Sequence, residues 1–307
     1  MKTIRISPGS RISQMYKQRS FYLMLVPGVL VFIAFKYLPM FGLITAFQDY
    51  QPVKGVWHSN WAGIEHFTRF FTEPTFWRLT KNTFSIAILS TVFFFPIPIM
   101  LAVLLNEIRI SSVKRIIQSF VYIPHFVSWV VVYGLLFALF TSDGLVNLIL
   151  EHFGWRPVSP LTNPGLFKVM IILEQIWKES GWNSIIILAA ITGIDPGLYQ
   201  AAEVDGAGRF RKIWHVTLPG IMGTVIILFL LRLGSFLDTG FEQILLHLNA
   251  LNRNVGEVYD TFVYQYGVLS GQFSYATTVG LFKSVVGLAI VMVTNRIVNR
   301  MGQEGLY

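Results

Sequence analysis

The 307-residue chain is 53% hydrophobic and only 13% charged, with a mean hydropathy of +0.57. Soluble domains carry about 25% charged residues, so this composition excludes a soluble globular fold and equally excludes a disordered chain. Net charge is +8, which in a soluble protein would suggest nucleic acid; cysteine is absent, which excludes disulfides, thiolate metal sites and cysteine nucleophiles.

Residues 1–20 form a basic segment carrying Lys2, Arg5, Arg11, Lys17 and Arg19. Residues 21–307 read as one membrane domain, since a spanning helix needs about 20 mostly apolar residues and six stretches meet that length. They are 21–47, 83–105, 120–141, 169–192, 216–237 and 276–298. The first contains Pro27, Lys36 and Pro39 and is too long for the apolar core of a signal peptide, so it is expected to stay as an anchor. The fourth is interrupted by Glu174, Lys178 and Glu179; the fifth holds Arg232 and the sixth Lys283 and Arg296. The expected fold is therefore an all-α integral membrane protein with six transmembrane helices.

Charge on the flanks orients the bundle. The N-terminal segment, Arg109, Lys114 and Arg115 in the second loop, Arg209, Arg211 and Lys212 in the fourth, and Arg296 and Arg300 at the end all fall on one side. The other side holds Lys54, Arg69, Arg78, Lys81, Arg156 and Arg253, spread over longer loops at about 48–82, 142–168 and 238–275. Both termini are thus expected in the cytoplasm.

The chemistry of an active site is missing. There is no G-x-x-x-x-G-K-[ST] phosphate loop, no H-E-x-x-H and no G-x-S-x-G. The six histidines are scattered without metal-ligand spacing. No catalytic residue and no metal site is expected.

One segment differs from the rest. Loop 193–215, between the fourth and fifth spans, contains YQAAEVDGAGRFRKIWH and leads into VTLP. Asp195 is placed to cap a helix starting at Pro196. Gly206 permits a turn after that helix, and a second short helix is expected through Arg209–His215. Ala201 and Ala202 give a shallow face that lets a partner approach, with Gln200, Glu203 and Asp205 around it. By composition alone this is equally an amphipathic hairpin lying on the membrane surface.

The spacing resembles the EAA signature of type I ABC importer permeases, E-A-A followed by Gly and then I-x-L-P. Ala201-Ala202, Gly206, Val216 and Leu218-Pro219 stand at its positions, while Gln200 replaces the family glutamate. A neutral amide hydrogen-bonds but makes no salt bridge. IWKESGWNSIIILAAITGIDPGLYQAAEVDGAG resembles the fourth span and loop of carbohydrate-uptake permeases. GFEQILLHLNALNRNVGEVYDTFVYQYG, and the last span after it, resemble the maltose-permease-like subfamily that imports complex oligosaccharides and polysaccharides.

The resemblance implies a type I ABC importer permease fold in a bacterial cytoplasmic membrane. It implies a path for an oligosaccharide shared with a second permease, often as a heterodimer. Two ATPase subunits would dock on Gln200, Ala201, Ala202, Glu203, Asp205, Gly206, Leu218 and Pro219, and an extracytoplasmic solute-binding protein would deliver the sugar. It implies no cofactor on this chain, with ATP and Mg on the partner ATPase, and no nucleic acid. Sugar sites need aromatic faces and hydrogen-bonding groups, so Trp177, Trp182 and Asn183 in the fourth span, and Glu242 and Gln243 after the fifth, are candidates for the path. The alternatives for the charged fourth span are an internal Glu174–Lys178 ion pair at i,i+4, or snorkelling to the interface. The rival function is an ion-coupled secondary transporter, which would favour inverted repeats that the chain lacks; a membrane-embedded enzyme would need an acidic or metal constellation that is also missing.

Overall fold

The computed structural model describes residues 18–300, so the basic segment expected at 1–20 lies outside the described residues except for its last three. Helix α1 (Arg19–Phe32) has no buried residue; a π-helical turn, Ile33–Tyr37, and a 3-10 helix, Leu38–Phe47, continue it. Strands β1 (Gln48–Asp49) and β2 (Asn60–Trp61) pair antiparallel, with Gln48 opposite Trp61 and Asp49 opposite Asn60. Helix α2 (Glu65–Thr72) leads to α3 (Pro74–Leu89), a π turn at Ser90–Phe94, and α4 (Pro96–Asn106). Then come α5 (Ser111–Tyr122), α6 (Trp129–Phe140), α7 (Leu145–His152) and the long α8 (Pro164–Thr192). Helix α9 (Pro196–Val204) is bent 70° from α8. The chain continues through α10 (Leu218–Gly234), α11 (Phe241–His247), α12 (Tyr259–Val263) and α13 (Phe273–Arg300).

Among the described residues, five helical units are long and apolar enough to cross a membrane, and the bent α8–α9 pair makes a sixth. The third unit differs from the sequence expectation. Instead of one helix over 120–141, α5 ends in a 3-10 turn, Ile123–Phe126, containing Pro124. Ser128 then caps α6 by accepting from the Val131 amide at 3.3 Å, so the apolar unit is Trp129–His152. Proline removes a backbone donor and clashes with the preceding turn; here the helix restarts rather than bending through.

Proline also explains the π turns. Pro39, Pro96 and Pro219 each stand two residues after a π turn, at Ile33–Tyr37, Ser90–Phe94 and Ile213–Thr217. Widening the turn to i→i+5, as when the Phe95 amide reaches the Ser90 carbonyl at 3.3 Å, accommodates the ring without breaking the span.

Helix α8 is the central post. Its 29 residues span about 43 Å, with Pro164 in the first turn and Asn163 capping the Gly165 amide at 2.9 Å. It packs along α4 and against α10 and α5. A Cβ on Gly181 would lie 2.0 Å from the Val121 carbonyl oxygen, so only glycine allows the crossing with α5. Ile187, Leu188 and Ile191 meet Ala102, Val103, Leu105 and Ile221 in one apolar cluster. A second cluster, Phe70, Leu79, Tyr259, Phe262, Tyr275 and Val279, ties α2, α3, α12 and α13 together.

Candidate functional site

The loop after α8 is built as a rigid projection. Asp195 accepts from the Gly197 amide at 2.8 Å, capping α9 with Pro196 in its first turn. At the far end Gly206 has φ +73. The Gly206 amide donates to the Glu203 carbonyl at 3.0 Å and the Ala207 amide to the Ala202 carbonyl at 2.8 Å. These two bonds form a Schellman turn, which requires the left-handed conformation glycine adopts at least cost.

On α9, Gln200, Ala201, Glu203 and Asp205 are exposed and Ala202 is half-buried. Glu203 accepts from Lys212 Nζ at 3.3 Å, so its carboxylate is held by the next turn of the loop. Around them Val204 and Phe210 are each 89% exposed and Leu198 53%, an unusual amount of apolar surface for a segment leaving the spans. Leu218 and Pro219 open α10 beside the buried Thr217, and Tyr199 Oη lies 3.0 Å from Thr217 Oγ1. Tyr199 was not a sequence candidate; its partner lies 18 positions on, beyond any helical periodicity.

The candidates in the fourth span separate. Trp177 is half exposed and lines an apolar groove of about 480 Å³ with Leu135, Leu139 and Leu173. Trp182 stacks on His125 with centroids 4.5 Å apart and planes 4° from parallel. Asn183 donates to the Glu179 carbonyl at 2.8 Å and lines a second cavity, of about 380 Å³. Glu242, at the start of α11, is exposed. Gln243 is 2% exposed and donates to the Ile171 carbonyl at 2.9 Å and to Glu174 Oε2 at 3.0 Å, which occupies its amide inside the packing of α11 on α8.

The i,i+4 pair of Glu174 with Lys178 does not form. Glu174 instead faces His247 Nε2 at 3.1 Å, and His247 Nδ1 lies 2.8 Å from the Gln243 carbonyl. Lys178 donates to the His125 carbonyl at 2.7 Å and to Glu179 Oε1 at 3.0 Å, while Glu179 Oε2 lies 2.7 Å from His125 Nδ1. Burial explains the choice: Glu174 and Lys178 are each nearly buried, and each takes a partner on another segment that also closes a tertiary contact.

The 380 Å³ cavity sets several polar side chains among apolar walls between spanning helices. Gln175, Glu179 and Asn183 form one face of α8 at i,i+4 spacing, with Phe94, Phe95 and Arg232 opposite. Arg232 Nη2 donates to Ser90 Oγ at 2.7 Å, and Ser90 Oγ donates to Gln175 Oε1 at 2.7 Å. This network joins α10, the π turn and α8. Ser90 and Gln175 escaped the sequence reading; the signal for Ser90 was Pro96, which marks a disturbed turn just before it.

Outside the spans, Arg69 Nε donates to Glu73 Oε1 at 2.8 Å, and Tyr275 Oη donates to Glu73 Oε2 at 2.7 Å. Burial pushes the Glu73 carboxyl up, but these two hydrogen bonds together outweigh it and hold the group below its ordinary value.

A family model described as the binding-protein-dependent transport system inner membrane component matches residues 94–303. The chain is 50% identical over 295 residues to the polygalacturonan/rhamnogalacturonan transport system permease protein YteP of Bacillus subtilis (strain 168), covering 96% of this chain and 92% of that one. It is also similar to a chain of a bacterial alginate ABC transporter solved with an alginate pentasaccharide-bound periplasmic protein, with TM-score 0.88, 37% identity, and 96% and 99% coverage. A second crystal structure, of a bacterial ABC transporter involved in the import of the acidic polysaccharide alginate, matches with TM-score 0.88 and 38% identity, covering 95% of this chain and 99% of that one.

Proposed function

The chain belongs to the binding-protein-dependent transport system inner membrane component family, and from that premise we propose how its two sites divide the work of import. It is a multi-pass membrane permease subunit of an ABC importer for oligosaccharides, a transport subunit and not an enzyme. Both termini face the cytoplasm. Helix α9 seats in a cleft of a cytoplasmic ATPase subunit, one of two, which carries ATP and Mg. The cavity between α8, α10 and the Ser90 turn lies on the sugar path, completed by a second permease. An extracytoplasmic solute-binding protein delivers the sugar; the alginate transporter is likewise seen in complex with a pentasaccharide-bound periplasmic protein.

The observation that carries this reading is the shape of α9: a capped, nine-residue helix closed by a left-handed turn, bent 70° from its span, with Val204 and Phe210 bare beside it. A free apolar face of that kind requires a covering surface, and a helix of about 14 Å is short enough to move as one body. Uptake must then depend on nucleotide. Proteoliposomes holding the permease pair and ATPase, with binding protein and oligosaccharide outside, should accumulate sugar only with ATP inside. Accumulation driven by an ion gradient without ATP would overturn the reading in favour of a secondary transporter.

A further inference from the structure

Two cations on the α8 face have no carboxylate. Arg232 stands in the last turn of α10, and among the described residues no acidic oxygen comes within ion-pair distance of it. Its partner is the neutral Ser90 hydroxyl, and its Nε is buried with no hydrogen-bond partner. Lys168, outside the cavity but seven residues before Gln175 on the same face of α8 and about 10 Å along the axis, donates to Ser85 Oγ at 2.6 Å and to Asn82 Oδ1 at 3.5 Å, and has no carboxylate within ion-pair distance.

Three other cations of the bundle do meet acids. Lys178 meets Glu179, Arg78 meets Glu257, and Lys283 meets Asp238 and Asp260. The two acids close to the cavity are therefore committed: Glu179 to Lys178 and His125, Asp238 to Lys283. The cavity thus keeps one guanidinium with no carboxylate within ion-pair distance, with Asp238, bonded to Lys283, acting on it only from farther off. A charged group at membrane depth is costly unless it faces water or a partner, and a guanidinium fork matches a carboxylate better than any hydroxyl does. Gln175 adds to the match: its oxygen is taken by Ser90, so its amide nitrogen is left as a donor.

Resting on the reading of this cavity as the sugar path, we propose that Arg232 is a specificity-determining residue that binds sugar carboxylates, so that the importer selects acidic over neutral oligosaccharides, with Lys168 as an outer station of the same track. Phe94 and Phe95 offer the apolar ring faces a sugar needs, and Asn183 a hydroxyl partner.

The test uses the assembled importer, purified in detergent without binding protein. Trigalacturonate and its fully methyl-esterified form are compared by equilibrium dialysis. The unaltered complex should hold the acid at least tenfold more tightly than the ester. Arg232→Gln should remove that preference while leaving ester binding in place, Arg232→Lys should keep part of it, and Lys168→Gln should weaken it less. Equal affinity of the unaltered complex for the two forms, or a preference that survives Arg232→Gln, overturns the proposal. So does an equal fall for both forms in Arg232→Gln and Arg232→Lys, which would make the residue a tether between α10 and the Ser90 turn. Asn183→Trp, which fills the cavity, separates the underlying reading: if it leaves binding of both forms and uptake intact, the cavity is not the path.

Discussion

Gly206→Val tests the projection at its weakest point. The φ of +73 places residue 206 where a side chain is strained whatever its surroundings, by about 1–2 kcal/mol for an L-residue and more for a β-branched one. A Cβ there would meet nothing within 4 Å, so the cost is purely backbone and is not confounded by a clash. One to two kilocalories per mole lowers the population of the Schellman turn roughly 5- to 30-fold relative to unturned alternatives. The neighbouring Gly208 supplies the control: its φ is −70 and a Cβ there also meets open space, so Gly208→Val should be mild. The assay is pull-down of the ATPase with each permease variant, together with ATP hydrolysis stimulated by loaded binding protein. Gly206→Val should lose most association and stimulation, with membrane insertion unchanged. Equal, full activity in both variants would refute the role given to the turn.

At Ala202, half-buried on α9, tryptophan should block close docking and abolish uptake in the same assay, whereas Gln200→Glu, which puts back the family residue on an exposed position, should be tolerated. Tyr199→Phe removes the contact with Thr217, about 0.5–1.5 kcal/mol; the complex should assemble normally but hydrolyse more ATP per sugar moved. Glu174→Ala leaves the buried Gln243 amide without its carboxylate acceptor, a loss of about 1–3 kcal/mol, and should lower the thermal midpoint of the purified complex. Glu73, held below its ordinary value, stabilises the segment between α2 and α3 at pH above the ordinary carboxylate range and loses that contribution as pH falls through its lowered value. Proteolytic nicking near residues 65–75 should therefore rise only in acid, and Glu73→Gln should remove the dependence.

Features set by local chemistry were legible from the residues. Apolar runs of about 20 residues announce spans; Asp195 before Pro196 and a glycine after nine helical residues announce the ends of α9. Features set by tertiary pairing were not. Spacing offered Glu174 and Lys178 to each other, but side chains separated by many residues in sequence outbid the local pair once α11 folded onto α8. Likewise Ser90 meets Gln175 and Arg232 at separations of 85 and 142 residues, so no periodic pattern carries that network. Pro124 was legible as a residue but not as a break, because an apolar run of the right length hides a restart.

The same prolines connect the two sites. Pro219 follows the π turn Ile213–Thr217, and Thr217 is the residue that Tyr199 of α9 touches. From Thr217 to Arg232 the chain is continuous helix over about 22 Å. At its upper end Arg232 is bonded to Ser90, the first residue of the π turn set by Pro96. A stiff α10 is thus joined at each end to a widened turn, and widened turns recur where helices must adjust. Under the proposed docking, movement of α9 against an ATPase would have a route through Tyr199 and Thr217 to the base of α10. In the proposed mechanism it pulls at the top on Arg232, whose guanidinium has no carboxylate within ion-pair distance, so that a bond broken there would be replaced by cargo rather than by a protein acid.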